Sequence, residues 1–202
     1  MREPAREEWW LVAGLGNPGP RYAGNRHNAG HMVAGALARR AGASLRRDAR
    51  RRVLAGTGEL AGHRVVIAEP IAFMNLSGGP VAALASFHKI PPGRVVIIHD
   101  ELDLPFGAVR LKLGGGDNGH NGLRSVSAAL GTREYNRVRI GIGRPPARTD
   151  PADYVLSDFT AAERKDLPFV IELAADAVEA LLARGLVAAQ NQIHPARAAG
   201  PA

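Results

Sequence analysis

The stretch that most constrains this chain runs from Trp10 to Asn28, WLVAGLGNPGPRYAGNRHN. Trp9 to Ala13 is an apolar run of strand length. It opens into a long loop of Gly, Pro and Asn that ends at His27-Asn28, just before a helical pattern. A buried strand that spills into a polar loop at its C-terminal end is where open α/β sheets place their sites. The loop carries an imidazole (His27), two amides (Asn17, Asn28) and a phenol (Tyr22). Gly14, Gly16 and Gly19 fit G-x-G-x-x-G, yet a dinucleotide fold needs a helix to begin inside the glycine run. Pro18 and Pro20 break such a helix, and the acidic residue expected about 20 positions on is missing, Leu37 to Arg40 being apolar and then basic.

The remaining elements follow from periodicity. Asn28 is positioned to cap a helix to about residue 41, with Met32, Val33, Ala36 and Leu37 on one face. Val53 to Leu60 and His63 to Glu69 read as strands joined by a turn at Ala61-Gly62. Ser77 or the glycines after it start a helix to Lys89, with Pro80 in its first turn. Arg94 to His99, with its VVII run, reads as a central parallel strand. It empties into Asp100-Glu101-Leu102-Asp103. Val109 to Leu113 alternates, which puts Arg110 and Lys112 on one face. A glycine-rich loop, 114–122, leads to a helix capped by Asn121. Arg137 to Ile142 alternates again, Arg137 and Arg139 opposite Val138 and Ile140. Thr160 and Glu163 form a capping-box pattern for a helix to Arg184. Beyond Gly185 the pattern fades. The expected fold is α/β: a single domain with a mixed, largely parallel twisted sheet flanked by helices on both faces. Residues 1–8 are expected to be a disordered extension, 9–194 the domain, and 195–202 a disordered tail.

The 202 residues suit one domain. With no cysteine, disulfides, thiol nucleophiles and Cys-based zinc sites are all excluded. No signal peptide or membrane-length apolar span is visible, so the expectation is a cytoplasmic protein with no membrane partner. The formal charge is +7; lysine supplies only Lys89, Lys112 and Lys165 of the 26 basic residues, and arginine the other 23. Arginine's planar fork suits phosphates, and the surplus suits a polyanionic partner. The densest basic run, Arg46 to Arg52, is either a solvated face or a contact for RNA backbone.

The chemistry lies on the loops 17–27, 73–75, 99–103 and 114–121. His27 and Asp100 are the pair to expect: a carboxylate that fixes one ring nitrogen as a donor frees the other to take a proton. No serine sits in a G-x-S-x-G elbow, so water is the natural nucleophile. The asparagines suit a neutral, hydrogen-bonding substrate and a carbonyl oxyanion. Asn75 and Asn121 stand out because their loops would face His27. H-E-x-x-H is absent, and neither a metal nor another cofactor is expected.

These motifs, Gly14-Leu15-Gly16-Asn17-Pro18-Gly19, Tyr22, Arg26-His27-Asn28-Ala29-Gly30, Phe73-Met74-Asn75-Leu76-Ser77-Gly78, His99 to Asp103, the glycine loop and Arg139-Ile140-Gly141-Ile142-Gly143, resemble the bacterial-type peptidyl-tRNA hydrolases in order and spacing, from Trp10 to His194. The resemblance implies hydrolysis of the ester between a peptide and the 3′-terminal ribose of tRNA by a monomer. It implies His27 as catalytic base, Asp100 as its stabiliser, and Asn17 as the group that separates peptidyl from free aminoacyl esters. Tyr22, Phe73, Asn75 and Asn121 match substrate-binding positions, Asn75 on the peptide carbonyl side and Asn121 placing the water, with Met74 packed beside the histidine. Lys112 and Arg139 match basic positions that grip the terminal phosphate. Asp117-Asn118 in the glycine loop departs from many relatives. Two other classes compete: a non-catalytic RNA-binding relative, and an esterase for small substrates. The second has no use for the basic faces around Arg110, Lys112, Arg137 and Arg139.

Overall fold

The computed structural model describes residues 8–195. The expected terminal segments 1–8 and 195–202 lie outside these residues except for Glu8, which ion-pairs with Arg94, and Pro195. Seven strands form one sheet in the order β2-β3-β4-β1-β5-β7-β6: β1 (Trp10–Gly14), β2 (Arg46–Asp48), β3 (Val53–Leu60), β4 (His63–Pro70), β5 (Val95–Glu101), β6 (Val109–Leu113) and β7 (Asn136–Gly141). The centre, β4-β1-β5-β7, is parallel; β3 and β6 run antiparallel to their neighbours. The Ala61-Gly62 turn closes the β3–β4 hairpin with positive φ at both residues (50° and 77°), the two-residue geometry that matches strand twist.

Side-chain alternation divides the core into two layers. Val12, Ile67, Val96 and Ile98 face α1 (Ala29–Arg40), α5 (Glu163–Arg184) and α6 (Leu186–Ile193). Leu11, Ala13, Val66 and Ile97 face α2 (Gly78–Phe87) and α3 (Asn121–Leu130). The short α4 (Pro151–Val155) contacts the 3₁₀ turn at Arg26–Asn28. The expected α/β domain with helices on both faces is therefore present.

Several local expectations are corrected. Asn28 precedes α1, but its side chain makes no cap; it spans the loop instead, as described below. Ser77 makes no side-chain cap, and α2 stops at Phe87, before Lys89. The first residue of α3 is Asn121 itself, and the cap is His120, whose ring nitrogen accepts from Gly122 N and Leu123 N. The Thr160–Glu163 box forms as expected, with reciprocal bonds of 2.6 and 3.2 Å. Among strands and α-helices, three have no counterpart in the sequence reading: β2 inside the arginine run, α4 between β7 and α5, and α6 beyond Gly185.

The packing that places the loop between β1 and α1 is close backbone contact. A Cβ on Gly14 would lie 2.0 Å from Gly30 O, and one on Gly30 would lie 2.4 Å from Ile98 O. Only hydrogens fit, so the first turn of α1 presses onto the ends of β1 and β5. Leu15 N donates to Ile98 O (2.9 Å) and His31 N to Leu15 O (3.2 Å), which pins the loop at both ends.

Candidate active site

The C-terminal ends of β1 and β5 open into a cleft of about 1440 Å³ whose walls include Asn17, Tyr22, His27, Phe73, Met74, Asn75, Asp100, His120 and Asn121. Residues expected from four separate loops thus meet at one surface. Lys112 and Arg139 do not line it.

His27 sits in a 3₁₀ turn, Arg26–Asn28, directly before α1. Its Nδ1 lies 2.9 Å from both oxygens of Asp100, which is 2% exposed at the end of β5. Burial alone lowers the basicity of His27, but the charge and hydrogen bond of Asp100 outweigh it, and the pKa sits above the ordinary 6.5. Asp100 is held well below the usual carboxylate range: burial opposes ionisation, and the two imidazoles facing it overcome that cost.

The second imidazole is His120, whose Nε2 lies 3.0 Å from Asp100 Oδ1. It stands out as the site residue that sequence reasoning left unassigned. Its Nδ1 accepts from Gly122 N (3.1 Å) and Leu123 N (3.3 Å) at the start of α3. A nitrogen that accepts two N–H groups carries no proton, so the proton is on Nε2 and is donated to Asp100. The helix terminus thereby fixes the tautomer. His99, fully buried beneath, donates from Nδ1 to the Asp100 carbonyl (2.6 Å) and stands edge-on to the His120 ring. Its burial keeps its pKa far below 6.5, and it is neutral.

The atoms of His27, Asp100 and His120 lie within 4.8 Å of one another, near the spacing of a metal site. Ligation through His120 Nε2 would move the ring proton to Nδ1, against two backbone donors. The trio is built as a hydrogen-bond chain rather than as a ligand set.

Asn17 is clamped from three sides. Its N–H donates to Asn28 Oδ1 (3.0 Å), its C=O accepts from Asn28 Nδ2 (2.9 Å), and its Oδ1 accepts from Met74 N (2.9 Å). The Asn17 NH₂ group is left as a donor for the cleft. Asn75, in the middle of a 3₁₀ turn (Met74–Leu76), and Asn121, the first residue of α3, are exposed, and Phe73 is 55% exposed just before the turn. Arg26 anchors the loop from behind: its guanidinium donates to Ser157 Oγ (2.7 Å), Asp158 O (2.6 Å) and Glu163 (2.6 Å).

The basic face of β6 and β7 is not uniform. Arg137 is buried and donates to Gly115 O and Gly116 O, so it supports the glycine loop and is not offered to solvent. Arg139 pairs with Glu101 at 3.0 Å. Lys112 is exposed on the outer strand, with no ion pair among the described residues.

A buried carboxylate, an imidazole aimed into an amide-lined cleft, and a cleft serine (Ser125) whose hydroxyl accepts from Gly78 N are the makings of a hydrolase site. The chain belongs to the peptidyl-tRNA hydrolase family, whose profile matches residues 11–200. It is 63% identical over 194 residues to a peptidyl-tRNA hydrolase of Frankia casuarinae, covering 96% of this chain and 98% of that one. The corresponding Mycolicibacterium smegmatis protein is 57% identical over 184 residues, covering 91% and 96%. The crystal structure of the Acinetobacter baumannii peptidyl-tRNA hydrolase superposes with a TM-score of 0.88 at 37% identity, over 98% of this chain and all of that one.

Proposed function

We propose that this chain hydrolyses the ester joining a peptide, or an N-blocked amino acid, to the 3′-terminal ribose of tRNA, with His27 as general base. The carrying observation is the His27–Asp100 couple: Asp100 takes Nδ1–H and leaves Nε2 free to accept a proton from water. The water oxygen attacks the ester carbonyl, and Asn amide donors meet the developing oxyanion. Collapse breaks the acyl–oxygen bond, and the imidazolium returns its proton to the ribose oxygen. Asn17, Asn75 and Asn121 hold the peptide and water, with Tyr22, Phe73 and Met74 as the apolar walls. Asn17 reads the blocked amine, since its donor is held rigidly. Lys112, with Arg139, takes the terminal phosphate. None of these steps uses a metal. No helix among the described residues is long and apolar enough to cross a membrane; the chain acts as a cytoplasmic monomer on this reading.

The test is release of labelled N-acetyl-aminoacyl groups from tRNA with chelator present, beside the same tRNA carrying an unblocked amino acid. Rapid release of only the blocked group is expected. Retained tRNA binding without release would instead indicate an RNA-binding relative.

A further inference from the structure

At the edge of the sheet opposite β6, Arg46, Arg47, Arg50, Arg51 and Arg52 surround one acid, Asp48, which Arg51 already holds through backbone and side chain. Arg46, Arg47, Arg50 and Arg52 are exposed and make no ion pair among the described residues. An unpaired cluster of this density is electrostatically costly in isolation and suits an anion with repeated charges. The surface is also shaped: a concavity of about 460 Å³ lies between β2, β3 and the end of α2, bounded by Arg46, Arg47, Arg51, Thr57 and Phe87. Phe87 is 61% exposed, with the Arg51 guanidinium 4.0 Å from its ring centroid. An aromatic ring under an arginine, beside free guanidiniums, is a combination that accepts both phosphates and unstacked bases.

Its position relates it to the cleft. β2 runs parallel to β4, so the turn after it lies at the same end of the sheet as His27 and Asp100. Arg52 O accepts from Ile71 N (2.8 Å), and Ile71 leads within two residues to Phe73-Met74-Asn75 of the active site. Across the sheet, β2 and β6 are six interstrand steps apart, roughly 29 Å. A folded RNA can bridge such a distance and a single nucleotide cannot.

We propose that the Arg46–Arg52 turn is a second RNA-backbone footprint, carrying the body of the bound tRNA while its 3′ end occupies the cleft. The inference rests on the function proposed above, and its test separates the two. The variant is R46Q/R47Q/R50Q, which leaves Arg51, Phe87 and the catalytic residues in place. Two substrates are compared: full-length N-acetyl-aminoacyl-tRNA, and the same ester on a short CCA-ending oligonucleotide that is too short to reach the turn. For full-length tRNA, KM is expected to rise about tenfold at low salt, and the slope of log KM against log salt to flatten by about 2. For the short ester, kcat/KM is expected to be unchanged. The matching Arg→Lys variant is expected to recover most of the full-length KM. Unchanged KM and slope on full-length tRNA would overturn the footprint, as would an equal loss on both substrates, which would mean that the turn acts through the fold. A loss confined to binding of poly-glutamate would overturn it in favour of an acidic protein partner. Failure of the wild-type protein to hydrolyse either substrate would instead overturn the proposed function and the footprint with it.

Discussion

Asp100 is the residue on which the site's electrostatics turn, because one buried carboxylate serves two imidazoles with opposite duties. On the proposed mechanism His27 gains and loses a proton, whereas the Nδ1 of His120 caps α3. The His27 pKa is raised, so the base is neutral only above that value. The acid limb of kcat/KM is expected above pH 6.5, activity falling as pH drops through it. Removing the His120 bond leaves all of the carboxylate's charge to His27. His120→Ala is expected to move the limb to higher pH by a few tenths of a unit to about one, and to cost about 1 kcal/mol through the lost cap. His120→Asn, a good cap too short to reach Asp100, is expected to shift the limb while keeping most of the thermal stability. A limb that stays in place in both variants, read from pH–rate profiles, would mean that His120 does not tune the base. His27→Ala is expected to lower kcat at least 100-fold while leaving tRNA affinity nearly unaltered; loss of both in parallel, by turnover and filter binding, would make His27 structural.

At the scale of elements, periodicity read the core strands and the long helices well because burial imposes it. Val95 to Ile98, and the buried Val170, Ala174, Val178 and Leu181 of α5, could hardly be anything else. The His27–Asp100 contact was legible because the two residues each sit at the end of an apolar strand or its loop. Elements set by side-chain-to-backbone bonds were not legible. His120 caps α3 through a ring nitrogen, a role usually held by Ser, Thr, Asp or Asn, and Asn121 beside it attracted the assignment. Asn28 looked like a cap and is a brace for Asn17. α6 has little periodicity because it is short, and its purpose is at its end: Gln190 Nε2 donates to Leu111 O (3.0 Å), and His194 Nε2 accepts from Leu111 N (3.0 Å). These two side chains take the hydrogen bonds that the outer strand β6 would otherwise offer to another chain. Burial and the neighbouring Arg110 lower the His194 pKa, so the ring is neutral and able to accept above pH 6.5. That contribution is lost as pH falls through the lowered value. The double variant Gln190→Ala/His194→Ala is expected to lower stability by about 1–3 kcal/mol, with a fall in Tm of several degrees, and to increase light scattering on heating. An unchanged Tm and scattering curve would mean that the edge is protected by other means.

Across the whole molecule, the +7 charge divides into cations that are already spent and cations that are available. Arg26, Arg40 and Arg139 are tied to carboxylates, and Arg137 is buried on backbone carbonyls. Lys112 is free at the β6 edge, its ammonium folded over Gly115 so closely that a Cβ there would lie 2.5 Å away. This division makes Lys112 and Arg139 separable although both were expected to grip phosphate. Lys112→Ala removes a solvent-exposed charge with no internal partner. It is expected to raise KM for the tRNA ester and flatten its salt slope by about 0.7–0.9, one phosphate's worth, at constant Tm. Arg139→Ala also strips the counter-charge from Glu101, which is only 6% exposed. A buried carboxylate without its partner is destabilising, so Tm is expected to fall by a few degrees, and the salt slope to change less than for Lys112→Ala because part of the Arg139 charge is already neutralised. The comparison needs both readouts on both variants. Equal slopes with equal Tm would mean that Glu101 does not restrain Arg139, and an unchanged slope for Lys112→Ala would remove that lysine from the phosphate contacts.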